Sequence, residues 1–157
     1  MKKYIFFTIA IIALFSTLLV SCSDEFVNRD AKYSIDSENY FNSKSDYDNA
    51  LVAAYDLLQS SYVNVLLGEI ASDNTLAGGE SQTDVVGFQQ IDDMIHTPVN
   101  SNLRDIWNWM FAGVNRANYI LEFKDKTDFE GKSQVIAEAR FLRAYYHFEL
   151  VKWFGGI

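Results

Sequence analysis

Apolar positions along this chain fall into three regimes. From Tyr4 to Val20, 17 consecutive residues carry no charge. Residues 22–40 are mostly polar and show no sustained period. From residue 41 onward apolar residues recur three and four positions apart, the period of helices with a buried face. The first helix is predicted over residues 46–60, with Ser45 as N-cap and Asp46 and Asp48 in the first turn. Its apolar stripe is Ala50, Leu51, Ala54, Leu57 and Leu58. Residues 62–72 continue as a weaker helix. Residues 73–100 break the pattern with Asp73-Asn74-Thr75, Ala77-Gly78-Gly79-Glu80-Ser81 and Thr97-Pro98-Val99-Asn100. They predict one long loop, with a short helix near residues 89–95; loops of this length in compact domains are often functional.

Two long helices follow, over residues 102–123 and 131–154. On the first, Leu103, Ile106, Trp107, Met110, Val114, Ala117 and Leu121 share a face, while Trp109, Ala112, Gly113, Ile120 and Phe123 form a second stripe. On the other, Val135, Ala139, Leu142, Tyr146, Leu150 and Trp153 make one stripe, and Ala137, Phe141, Ala144, Phe148 and Val151 another. A helix at the edge of a domain needs one stripe; two stripes predict packing on both sides. The fold class expected is therefore all-α, with irregular stacked helix pairs resembling tetratricopeptide repeats and one long loop. No strict period of about 34 residues is visible. Gly155-Gly156 reads as a helix stop followed by more chain, so this is expected to be the N-terminal part of a longer protein.

The first regime is an address rather than a fold. Lys2 and Lys3 precede the apolar run, and Leu19-Val20-Ser21-Cys22 closes it, around the chain's single cysteine. A positive start, an apolar middle and a small residue at the cut make a secretory signal. The ending resembles a bacterial lipobox, which assigns residues 1–21 to a signal peptide, Cys22 to lipid attachment and residues 22–40 to a tether. Each buried CH₂ of an attached acyl chain contributes about 0.8 kcal/mol, so two or three chains hold a protein on a bilayer. An uncleaved signal anchor is the alternative.

Charge narrows the partners. The whole chain carries 13 Lys and Arg against 21 Asp and Glu; loss of Lys2 and Lys3 with the signal leaves 11 against 21, a net charge of −10. Nucleic acid and anionic membrane surfaces are repelled by such a chain. Nor is there a catalytic signature. His96 and His147 lack metal-site spacing, no serine elbow is present, and Gly78-Gly79-Glu80-Ser81 lacks the lysine of a phosphate loop. Asp73 and the pair Asp92-Asp93 read as solvated loop acids. Arg140, Arg143 and His147 share an arc of the last helix and read as a polar face paired with neighbouring acids. No catalytic, metal or cofactor residues are expected. Trp107, Trp109 and Trp153 all fall on apolar stripes and are expected in the core. The hydroxyl, amide and carboxylate groups of the long loop (Asp73, Asn74, Thr75, Ser81, Gln82, Thr83, Gln89, Gln90) suit an edge that faces a ligand or a transporter.

One segment carries a family resemblance. Glu138-Ala139-Arg140-Phe141-Leu142-Arg143-Ala144-Tyr145-Tyr146-His147-Phe148, continued by Trp153-Phe154-Gly155-Gly156, resembles the hallmark of SusD/RagB outer-membrane lipoproteins. Trp107-Asn108, Asn115-Arg116-Ala117-Asn118 and Ala53-Ala54-Tyr55 resemble its preceding helices, and Ser23-Asp24-Glu25 resembles the acidic stretch after the lipidated cysteine. The resemblance covers the mature chain and implies a SusD-like N-terminal helical domain over residues 41–157. It also implies a non-enzymatic lipoprotein on the exterior face of the outer membrane, which binds glycan nutrients and hands them to a SusC-like TonB-dependent transporter. A lipid-anchored helical-repeat adaptor for peptides or proteins is the alternative. The resemblance assigns no ligand-binding residue.

Overall fold

The computed structural model describes residues 37–157. The signal peptide, Cys22 and all but the end of the tether lie outside the described residues. The elements are α1 (Ser37–Tyr40), α2 (Lys44–Asp56), a 3₁₀ turn (Leu57–Ser60), α3 (Ser61–Ile70), α4 (Val86–Asp92), α5 (Ser101–Glu122) and α6 (Lys132–Phe154). No strand occurs among the described residues, so the all-α expectation holds.

Helix α2 starts earlier than its sequence suggested. Its N-cap is Ser43, not Ser45. Asp46 decides this: its Oδ2 accepts the backbone N–H groups of Ser43 (2.8 Å) and Asn42 (3.0 Å) and the Ser43 hydroxyl (2.9 Å). A carboxylate at the third helical position reaching back to the cap satisfies donors that the helix cannot. The Ser43 bond leads the causes that hold the Asp46 carboxyl below its ordinary range. Helix α4 also begins before the predicted position. It is bounded by Val85 at φ 43° and Met94 at φ 55°. Left-handed backbone at two bulky residues is uncommon, and no Gly or Asn marked either boundary.

Helices α5 and α6 run antiparallel, because early residues of one meet late residues of the other. Trp107 meets Phe154 at 5.0 Å between ring centroids, Gly113 lies against Tyr146, and Arg143 Nη1 donates to Asn118 Oδ1 at 3.2 Å. That bond corrects the expectation for the arginine arc: Arg143 pairs with an amide, and no ion pair of Arg140, Arg143 or His147 forms among the described residues. Helix α2 lies against both partners, antiparallel to α5 and roughly parallel to α6. Tyr47 meets the end of α5, and Tyr55 Oη donates to Glu138 Oε2 at 3.0 Å.

The main stripe of α6 is core as predicted: Val135, Ala139, Leu142, Tyr146 and Leu150 are buried, and Trp153 is half-buried. The two stripes on α5 are instead one broad arc. Ile106, Met110, Gly113, Val114, Ala117 and Ile120 are all buried, which rotates the inner face toward Gly113 and leaves Trp107 at the margin. Glycine at 113 has a steric reason. A Cβ there would lie 2.5 Å from the Tyr146 ring, so any larger residue would push α6 away from α5.

Tyr146 itself is fully buried, and its hydroxyl donates to the Ala54 carbonyl at 2.5 Å. Burial, with Tyr145 as a lesser cause, pushes its phenol up to about 12. The unfolded phenol ionises near the ordinary tyrosine value of 10.0. The native state therefore keeps a proton that the unfolded chain gives up, and this contribution to stability is complete below pH 10 and lost as pH rises toward 12. We expect the unfolding midpoint to hold steady through neutral pH and fall above about pH 10. Tyr146→Phe should cost about 1 kcal/mol at neutral pH, since it strands the Ala54 carbonyl, and should soften the alkaline fall. Denaturant titrations of both proteins across pH 7–11 check this; an equally steep fall in Tyr146→Phe would exclude this phenol as its source.

Candidate functional site

The two ends of the helical body carry aromatic clusters, and they differ. At the C-terminal end of α5 the cluster is closed. Phe41 stacks on Phe123 at 5.2 Å and meets Tyr47 at 4.9 Å, and Tyr47 meets Phe129 at 4.9 Å. Both Phe41 and Tyr47 are buried. At the other end, about 24 Å along α5 at 1.5 Å per residue, the cluster is open. Trp107 packs against Phe111 at 4.5 Å and meets the edge of Phe154 at 5.0 Å, yet remains 42% exposed. The expectation that Trp107 is core is thus corrected. It stands 100° round the helix from buried Ile106, near the start of α5, where α6 has already run out at Phe154. Trp109 is half-buried against the core.

Trp107 belongs to a groove of about 710 Å³, within the range of small-molecule sites. One wall comes from α5 (Leu103, Arg104, Trp107), another from the end of α6 (Trp153, Phe154), and a third from the segment Met94, His96, Thr97 and Pro98. Ala71 and Ile91 complete it. Two indoles and a phenyl ring supply flat apolar surface; Arg104, His96 and Thr97 supply hydrogen-bonding groups beside it.

Asn100 places the third wall. It is buried, and its side chain uses its full hydrogen-bonding capacity. Oδ1 accepts the N–H groups of Asn102 (3.0 Å) and Leu103 (3.2 Å), capping α5. Nδ2 donates to the Gly87 carbonyl (2.9 Å) and to Gln90 Oε1 (3.2 Å), tying α4 to the same point. Further back, Asp92 Oδ2 accepts the Ala77 N–H at 2.9 Å, so this acid is a loop brace. Of the loop's eight polar residues expected at a ligand edge, none lines the groove. The loop contributes through its last turn instead, where the sequence offered only His96, Thr97 and Pro98.

Trp153 closes the far side and is fixed by polar bonds. Its Nε1–H donates to Asn64 Oδ1, Asn64 Nδ2 donates to Glu149 Oε2, and Lys152 Nζ contacts the same oxygen at 2.5 Å. Asn64 and Glu149 are buried polar residues; burial demands these partners. Sequence reading missed this chain because its members lie 85 and 89 residues apart. The described residues bring together no group of His, Cys, Asp and Glu able to hold a metal ion.

The described residues form an all-α body with an open aromatic groove at one end. The chain belongs to the SusD-like family described as starch-binding and associating with the outer membrane, which it matches over residues 26–157. It is similar to SusD-like protein P38 of Formosa agariphila, at 26% identity over 159 residues covering 100% of this chain and 31% of that protein. SusD-like protein P25 of the same organism is 26% identical over 157 residues, covering 92% of this chain and 30% of that protein. The chain therefore spans about a third of the length of these curated relatives. No solved structure matches it.

Asn100→Ala should destabilise the protein by about 1–2 kcal/mol, combining a lost cap with two unpaired groups on α4. Asn100→Asp should retain the cap and lose only the ties to Gly87 and Gln90. Amide hydrogen exchange separates the two: Asn100→Ala should speed exchange at Asn102 and Leu103, and Asn100→Asp should spare them.

Proposed function

We propose that this chain is the glycan-binding, N-terminal part of a surface lipoprotein that passes oligosaccharides to a SusC-like TonB-dependent transporter. It binds and does not catalyse. The observation that carries the reading is Trp107: a tryptophan left 42% exposed in a groove with a second indole beside it, in a member of a family described as starch-binding. Sugar rings have apolar C–H faces that lie on flat aromatic surfaces, while their hydroxyls need donors and acceptors at the rim. Both kinds of group are present here. Family membership supports outer-membrane association; the apolar run ending at Cys22 supports a lipid anchor, and the acidic Ser23-Asp24-Glu25 supports exterior display. A second reading, protein or peptide binding, has its own observation: Phe141 and Phe148 on the outer face of α6 are 67% and 60% exposed.

Two measurements test the proposal. Calorimetric titration of the purified chain with soluble starch oligosaccharides should show binding, and Trp107→Ala should weaken it at least about tenfold while the unfolding midpoint changes little. Unchanged affinity in a folded Trp107→Ala protein would remove the groove from the reading. For the anchor, Cys22→Ser should abolish palmitate labelling in cells and leave the protein at its precursor mass; continued labelling would place the lipid elsewhere.

A further inference from the structure

Behind Trp153 lies a second hollow of about 480 Å³, distinct in chemistry from the aromatic groove. Ala71 and Trp153 line both. The hollow's exposed lining is still mostly apolar, but it is richer in polar groups than the groove. Ser61 and Tyr145 present hydroxyls 3.0 Å apart, and Asn64, Glu149 and Lys152 present an amide, a carboxylate and an ammonium. Glu69 stands at its margin and is exposed. With Lys152 matched to Glu149 at 2.5 Å, Glu69 leaves the hollow with a surplus negative charge, which disfavours anionic ligands.

Gly68 is the residue that singles this hollow out. It lies inside α3, where glycine is the poorest choice after proline. Gly113 is excused by the ring of Tyr146, but a Cβ on Gly68 would meet nothing within 4 Å. Packing therefore gives no reason for its lack of a side chain. What the bare backbone does is keep the hollow open, since Gly68 lines it.

We infer that the hollow is a second sugar subsite, and that one neutral oligosaccharide crosses Trp153 from the aromatic groove into it. The first part of the ligand stacks on Trp107 and Trp153. The part beyond exchanges water for the hydroxyl, amide and charged groups around Asn64 and Glu149. Trp153 is the hinge of the site because its indole is held in place from the hollow side, through Asn64, while lining the groove on the other. This rests on the glycan reading above and adds a length requirement to it: a ligand too short to pass Trp153 uses only half of the site.

Gly68→Leu tests the inference without attacking the fold, because it fills open space and replaces a poor helix former with a good one. The probes are maltose and maltoheptaose, titrated into wild type, Gly68→Leu and Trp107→Ala, with thermal unfolding run beside them. Wild type should prefer maltoheptaose by at least about tenfold; Gly68→Leu should cut that preference below about threefold and leave maltose affinity within about twofold. Trp107→Ala should weaken both sugars. The side-chain N–H resonances give an independent readout. Maltoheptaose should shift both indoles in wild type and in Gly68→Leu alike, whereas the Asn64 side-chain amide, which lines the hollow alone, should shift in wild type only. A Gly68→Leu protein that keeps the full length preference overturns the subsite and leaves the groove standing. Failure of wild type to bind either sugar overturns the subsite together with the glycan reading.

Discussion

The structure depends on Tyr146 reaching across two helices at once. Its ring lies on the bare backbone of Gly113 in α5, and its hydroxyl binds the Ala54 carbonyl in α2. A helix leaves its last carbonyls without N–H partners, and α2 ends at Asp56. Ala53 and Ala54 sit in that last turn. Arg116 of α5 donates to the Ala53 carbonyl at 2.5 Å, while Tyr146 of α6 takes Ala54. The end of α2 is thus finished by side chains from both neighbours. A guanidinium there also suits the negative end of the helix dipole. The debt is returned at the other end, where Tyr47 of α2 donates to the Phe123 carbonyl just past α5, at 2.5 Å. Antiparallel packing makes this exchange possible, because each helix ends beside the middle or start of its partner.

That arrangement seals one end of the body and leaves the other open. The chain before α2 and the turn between α5 and α6 both return to the Tyr47 end, where Thr127 Oγ1 donates to the Phe41 carbonyl at 2.8 Å. Nothing equivalent among the described residues returns over Trp107. The segment from Met94 to Pro98 forms a wall beside it, held at a distance by Asn100. Among the described residues, the aromatic surface at this end is bordered by that segment, the start of α5 and the end of α6.

The helices were legible in the sequence because their period is long and regular; the α6 stripe from Val135 to Leu150 needed no other information. What the period could not show was the direction of inward. On α5, apolar residues nearly encircle the helix, so the sequence shows two stripes and predicts packing on both sides. The choice was made by Gly113, whose missing side chain lets Tyr146 in and turns the inner face toward Ile120. Trp107 then falls outside by rotation alone. The cap at Ser43 was hidden because Ser43 and Ser45 are both good caps, and only the reach of Asp46 distinguishes them. The polar chain through Asn64, Glu149 and Trp153 had no local signature, since each member reads singly as an ordinary helix residue. The tether prediction concerned residues mostly outside those described, but its last four, Ser37–Tyr40, already form α1 at the start of the folded unit.

The outer face of α6 is a second apolar surface, separate from the groove. Phe141, Phe148 and Val151 point away from Ala139, Tyr146 and Leu150 by the helix period, and all three are exposed. Apolar residues on both sides of one helix suit burial on both sides, and only the inner side is covered among the described residues. Trp153 and Phe154, by contrast, are half-buried and face the groove. A protein surface laid on Phe141 and Phe148 would leave that groove unobstructed, so occupancy of the two need not be competitive. Lys152 lies 5.3 Å over the Phe148 ring while binding Glu149, whose other partner Asn64 holds Trp153, so a continuous set of contacts joins the exposed face of α6 to the groove and the hollow.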